Sequence, residues 1–263
     1  MIVTERFVAR LERFDRVGST NDVVRGWLAD GTPEVCVAVA AEQTAGRGRQ
    51  GRTWVAPPGA GLLLSAGYRP TWLSPDRVWR LPATVSMAMA EAAERVAGLA
   101  DESIHLKWPN DLGVDRDGSF RKVGGVLGES DGLGTADPRV VVGIGLNVDW
   151  AEADFPSELR GAMTSLRAMA GRAVDGEALL TTFLERLEVL TDRLRRGTFD
   201  ADPWVARQVT TGRGIELIAP DGTIETAVAR GVDPDSGALL VGDGSDPRSV
   251  FVGEIRHVRL GAV

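Results

Sequence analysis

The chain has 263 residues, 43% of them hydrophobic and 25% charged, with a formal net charge of -7. That length buries a substantial core, enough for one large domain and a small one, and the hydrophobic share excludes wholesale disorder. No apolar run approaches the roughly 20 residues needed to span a bilayer, and the acidic balance argues against nonspecific nucleic-acid binding, which relies on cationic neutralisation of phosphates.

The first turns mix acids and bases without an apolar stretch, so no signal peptide is expected. One cysteine, Cys36, and two histidines, His105 and His257, exclude a disulfide framework and leave little to hold a structural metal. The expectation is a soluble, cytoplasmic protein. Residues 13–18 read as a short strand ending at Gly18. Ser19, Thr20 and Asn21 are good N-cap types, and Val23, Val24, Trp27 and Leu28 follow at helical spacing until Gly31 and Pro33. The β-branched run 35–40 suits a strand covered on both faces. After a loop rich in arginine and glycine, residues 61–68 read as another strand. A helix is expected from 75 to about 96, with Leu81, Val85, Met89 and Ala92 on one stripe; Pro82 moves its start towards Leu81.

Residues 104–108 form the next expected strand, ahead of Pro109-Asn110-Asp111. Residues 112–114 and 122–129 read as two strands joined by the turn Asp115-Arg116-Asp117-Gly118. A buried strand at 140–148 carries two glycines, and helices are expected near 157–170 and 176–196. The composition changes after about Thr211. Five short β runs follow, punctuated by the turn signals Pro220-Asp221-Gly222 and Asp243-Gly244, which suggests a small barrel.

The segment Gly46-Arg47-Gly48-Arg49-Gln50-Gly51-Arg52 fits the G-x-G-x-x-G pattern of dinucleotide-binding folds. Its context does not fit: Pro57, Pro58 and Gly59 follow, where that motif requires a long helix. The loop reads better as an anion cradle. Backbone N–H groups at the glycines and the guanidiniums of Arg47, Arg49 and Arg52 can converge on a phosphate or carboxylate. Those guanidiniums repel one another without an anion, so the loop is expected to be mobile when empty and ordered by its ligand. A solvated basic loop is the alternative.

Five ordered motifs now stand together: Gly18-Ser19-Thr20-Asn21; residues 42–54 around the loop; Lys107-Trp108-Pro109-Asn110-Asp111; residues 122–129 (KVGGVLGE); and residues 142–148 (VGIGLNV). In order and spacing they resemble the biotin–protein ligase family. The resemblance is strong from Arg16 to Val148 and carries no sharp motif beyond. It implies an α/β (α+β) fold: a mixed sheet flanked by helices, spanning 1–211, then a small SH3-like β-barrel at 212–263. It also implies a two-step reaction. Biotin and ATP, with Mg2+, give biotinyl-5′-AMP and pyrophosphate; a lysine of a biotin carboxyl carrier protein then takes the biotin. Acyl-CoA and pyruvate carboxylases are the implied source of that partner, and monomer or ligand-linked homodimer is left open. About 18 residues precede the Ser-Thr-Asn motif, too few for the DNA-binding module of some relatives, so a ligase without repressor activity is expected.

The resemblance assigns residues as follows. Ser19, Thr20, Asn21 and Gln43 would meet the ureido end of biotin, with helix capping as the alternative for one of them. Arg47, Gly48 and Arg49 would clamp the carboxylate and phosphate, with Arg52 and Trp54 supporting the lid; Trp54 could equally be a core aromatic. Lys122 is the main catalytic candidate, its ammonium set against carboxylate and α-phosphate oxygens, and Gly124 and Gly125 would admit the ligand to the backbone. Lys107, Asn110 and Asn147 are candidates for the nucleotide, and Asp111 for Mg2+. Gln50 stands where relatives commonly have arginine. Two rivals remain: a lipoate or octanoate ligase, which needs an elongated apolar pocket, and a sensor that binds without reacting.

Overall fold

The computed structural model describes residues 7–116, 118–242 and 246–258. Asp117, the Asp243-Gly244 turn and the end of the last β run therefore lie outside the described residues. A seven-stranded mixed sheet carries the fold, in the order β1-β2-β3-β7-β6-β5-β4. Its strands are β1 (Arg10–Val17), β2 (Cys36–Gln43), β3 (Gly61–Tyr68), β4 (His105–Lys107), β5 (Asp111–Arg116), β6 (Ser119–Asp131) and β7 (Arg139–Asn147). Only β1 and β2 are parallel, joined through helix α1 (Thr20–Ala29); every other neighbour is antiparallel.

Strand alternation gives the sheet two different faces. Val37, Val39, Leu64, Ala66, Val142, Ile144 and Val126 turn to the main core, which is closed by α2 (Arg80–Ala97) packed on α4 (Gly176–Arg195). The opposite face holds Cys36, Ala38 and Val141, and α1 covers only that end of it with Val24, Trp27 and Leu28. Gly67 lets α1 settle there: an added Cβ would fall 2.5 Å from Val24. The remainder of this face is where the cavity described below lies.

Pro82 sits in the first turn of α2, as expected, because the first N–H groups of a helix need no partner within it. Residues 157–165 depart from the expected helix. Lys122 draws them into β-like pairing instead: its N–H donates to the Ala162 carbonyl at 2.9 Å, and Thr164 N–H donates to the Lys122 carbonyl at 2.8 Å. Helix α3 (Leu166–Ala170) starts only at Ser165, whose hydroxyl accepts from Ala168 N–H. A further short helix, α5 (Ala201–Ala206), was not anticipated.

The C-terminal strands β8 (Gly214–Ile218), β9 (Ile224–Val232), β10 (Leu239–Val241), β11 (Arg248–Val250) and β12 (Glu254–Val258) build a second antiparallel sheet, ordered β11-β10-β9-β8-β12. Among the described residues it is open and not the closed barrel expected. Closure needs the two edge strands to pair, and β11 is three residues long before the chain leaves the sheet at the exposed Phe251 and Val252. One buried apolar cluster runs through both sheets, including Ile215, Leu239 and Ile255.

Candidate active site

The cavity is made by what two strands, β6 and β7, lack. Ser65, Gly143 and Leu127 form one cross-strand row on the face that α1 leaves uncovered, and Leu63, Gly145 and Gly125 form the next. The three glycines leave a hollow of about 290 Å³ above the sheet. Each lies under a residue that the motifs singled out. An added Cβ would fall 2.2 Å from Asn21 Oδ1 at Gly143, 2.5 Å from the Trp54 ring at Gly145 and 3.0 Å from Lys122 Nζ at Gly125.

One end of the hollow is polar. Ser19, Thr20 and Asn21 are buried at the start of α1. Ser19 occupies the N-cap position, yet its side chain makes no capping bond, which leaves the hydroxyl free for other use. Gln43, at the end of β2, accepts through Oε1 from Thr20 N–H at 2.7 Å and from the Thr20 hydroxyl at 3.0 Å. Ser65 donates to Asn21 Oδ1 at 2.5 Å, and Asn21 Nδ2 donates to Glu129 at 2.6 Å. Both ends of the Asn21 amide are therefore held, and its orientation is set.

The middle is apolar, lined by Leu127, Leu159 and Met163. The other end is cationic. Lys122 Nζ pairs with Asp111 at 2.6 Å and lies 5.4 Å from the centre of the Trp54 ring. Arg49 reaches in with a buried Nη1 that has no partner among the described residues, and burial pulls its pKa below the usual guanidinium range. A second hollow of about 240 Å³ adjoins the first, sharing Arg49, Asn110, Val126 and Leu127 and adding Lys107 and Asp111. Burial lowers the pKa of Lys107, whose ammonium stands 5.4 Å from the Phe120 ring centre.

The arginine–glycine loop is a small hairpin. Gly48 N–H donates to the Arg52 carbonyl at 2.7 Å and Trp54 N–H to the Gly46 carbonyl at 2.9 Å. Its guanidiniums are not left facing one another: Arg47 pairs with Asp22 and Glu129, and Arg52 with Glu254 of β12. The mutual repulsion expected for an empty loop is thus relieved by acids from three distant elements.

The structure gathers Ser19, Thr20, Asn21, Gln43, Arg47, Gly48, Arg49, Arg52, Trp54, Asn110, Lys122 and Gly125 around the first hollow. Lys107 and Asp111 line only the second. Gly124 lines neither; its missing Cβ makes room for Leu146 at 2.6 Å. Asn147 is fully buried outside both, donating from Nδ2 to the Thr164 carbonyl at 3.0 Å while its Oδ1 has no partner among the described residues. Sequence reading missed Ser65, Asp22, Glu129 and Glu254. Ser65 had a signal, a lone hydroxyl in an apolar strand; the three acids had none, because partners so far along the chain are invisible before folding.

A family model described as the biotin/lipoate A/B protein ligase family matches residues 13–147, more than half of the chain. The chain belongs to that family. Among relatives of this ligase family, the biotin--[acetyl-CoA-carboxylase] ligase of Mycobacterium tuberculosis is 32% identical over 253 residues, 95% of this chain and 90% of that protein. The enzyme of the same name from Paracoccus denitrificans is 35% identical over 229 residues, 81% of this chain and 87% of its own. The solved biotin protein ligase from Aquifex aeolicus, in complex with biotin and ATP, superposes with a TM-score of 0.77 at 25% identity, covering 95% of this chain and 99% of that one. Among the described residues, no helix of this family member is long and apolar enough to cross a membrane.

Proposed function

We propose that the chain is a biotin–protein ligase, which activates biotin with ATP and passes it to a lysine of a carrier protein. The observation that carries this reading is the order of walls around the first hollow: polar, apolar, cationic. Biotin has the same order, with a ureido head, an apolar ring and chain, and a carboxylate. Ser19, Thr20, Asn21 and Gln43 would hold the ureido group, as buried donors and acceptors that reject a molecule lacking partners for them. A lipoyl or octanoyl chain offers none.

In this orientation the carboxylate points at Lys122 and Arg49. A carboxylate oxygen attacks the α-phosphorus of ATP, the bond to the bridging oxygen breaks, and pyrophosphate leaves. Lys122 and Arg49 stabilise charge gathered on the carboxylate and the phosphoryl oxygens, with no reorganisation needed during the step. The second hollow, with Lys107, Asn110 and Asp111, takes the phosphates. Trp54 and Arg52 flank the nucleotide. The unpartnered acceptor of Asn147 lies on the same face of β7 as Gly145, and the amino group of adenine is a donor that would satisfy it. In the second step the neutral ε-amine of the acceptor lysine attacks the mixed-anhydride carbonyl, and AMP leaves.

Asp111 is the single acidic side chain lining the second hollow among the described residues. Phosphate-bound Mg2+ needs only one or two carboxylates, so Asp111 fits as its protein ligand, and the ion would neutralise phosphate charge there. In the same reading, residues 1–211 are the ligand-binding unit and 212–263 an SH3-like module that supplies Glu254 to the loop. Acyl-CoA or pyruvate carboxylase carrier domains are the proposed acceptors, in the cytoplasm. The test is ATP–pyrophosphate exchange that depends on biotin, followed by a mass shift on one carrier lysine. A pure, folded protein giving no exchange sinks the ligase reading.

A further inference from the structure

Four charged side chains close a ring beside the polar end of the cavity. Arg47 donates to Asp22 from both ends of its guanidinium, each at 2.7 Å, and approaches Glu129 at 3.4 Å. Arg25 closes the circuit, at 3.0 Å from Asp22 and 2.9 Å from Glu129. The charges alternate and sum to zero. Asp22 and Arg25 come from α1, Arg47 from the arginine–glycine loop and Glu129 from β6, so the ring joins three elements. Glu129 also takes the Asn21 amide, which links the ring to the polar wall.

We infer that Asp22 and Glu129 are positioning residues for biotin, and that the ring staples the loop over the cavity, so that Arg47 acts through loop shape and not by touching the ligand's anion. This rests on the ligase reading above. Two observations separate Arg47 from Arg49. The Arg47 guanidinium already faces two carboxylates, and its hydrogen bonds to Asp22 raise its pKa above the usual range; a neutral ring has little pull on an incoming anion. Arg49 instead holds a buried N–H without a partner among the described residues, which an arriving carboxylate or phosphate would satisfy. The expected pair of clamp arginines thus divides into one staple and one clamp.

The staple can be tested without biotin. Trypsin cuts after arginine, and the loop offers Arg47, Arg49 and Arg52. Asp22→Asn should speed cleavage within residues 47–52 at least fivefold while the melting temperature stays within a degree or two. An unchanged cleavage rate overturns the staple. The second measurement is a double-mutant cycle on biotin Kd with Asp22→Asn and Arg47→Gln. Each single change should weaken binding about tenfold, and the double variant should be no weaker than the worse single. Losses that multiply to about a hundredfold would place Arg47 on the ligand directly and overturn the inference, as would an Asp22→Asn protein that binds like wild type. At saturating biotin, the exchange kcat of Asp22→Asn should stay within twofold of wild type; a kcat loss matching the KM change would overturn the positioning role. If wild type binds no biotin, the ligase reading fails, and proteolysis still decides the staple.

Discussion

Gly143→Ala places one methyl group on the floor of the cavity. Its Cβ would start 2.2 Å from Asn21 Oδ1 and 3.0 Å from Asn21 Cγ, whereas ordinary contact begins near 3.4 Å. Asn21 must therefore retreat by about 1.2 Å. A shift of that size cannot keep both the 2.5 Å bond from Ser65 and the 2.6 Å bond to Glu129. Overpacking costs about 1–3 kcal/mol, and a lost bond to a charged group about 1.5–3 kcal/mol. The folded protein also loses a correctly placed ligand contact, so biotin Kd should rise about ten- to a hundredfold, at ~1.4 kcal/mol per decade. Calorimetric titration with biotin, alongside a thermal melt, measures both effects. Gly67→Ala is the comparison: its Cβ would meet Val24 at 2.5 Å, under α1 and outside the cavity lining, so it should lower the melting temperature while weakening biotin less than Gly143→Ala does. A Gly143→Ala protein that binds biotin within threefold of wild type would refute the placement of the ureido group beside Asn21.

Lys122→Ala should lower the rate of adenylate formation far more than it weakens biotin binding, by burst kinetics against titration; equal losses would reduce Lys122 to a binding group. Arg49→Ala should speed dissociation of biotinyl-5′-AMP by about tenfold or more, from a charge-assisted contact of ~1.5–3 kcal/mol, and an unchanged off-rate would remove Arg49 from the clamp. His257 supplies a pH prediction. Burial, with Lys107 and Arg213 nearby, pushes its pKa from 6.5 down to about 4. The unfolded chain then takes up a proton that the folded one does not, so stability is full above 6.5 and is lost as pH falls towards about 4. Melting temperatures across that window should fall less steeply in His257→Gln than in wild type; identical slopes would contradict it.

Local chemistry was legible along the chain wherever it acts over a few residues. The capping types at Ser19–Asn21 did mark the start of α1, β3 falls at its expected residues, and Pro82 did shift the start of α2. The ordered motifs around Thr20, Arg49, Asn110 and Lys122, each a short run with its own turn or strand, meet around one hollow. The failures share one cause. Residues 157–165 have helical composition, but backbone pairing with Lys122 outweighs a weak local preference, since nine residues gain little from helix formation alone. The open C-terminal sheet was likewise invisible, because barrel closure depends on whether β11 and β12 meet, not on the composition of either.

The sequence by itself determined which residue types carry the chemistry and their order along the chain, because binding and transfer need those functional groups whatever their surroundings. Only the tertiary structure decided how they divide the work. Three glycines on two neighbouring strands, Gly125 of β6 and Gly143 and Gly145 of β7, make one hollow because antiparallel register sets them side by side. Arg47 and Arg49, two residues apart and alike in chemistry, part company for the same reason: one meets Asp22 and Glu129, brought in by α1 and β6, and the other keeps a buried N–H that finds no partner among the described residues.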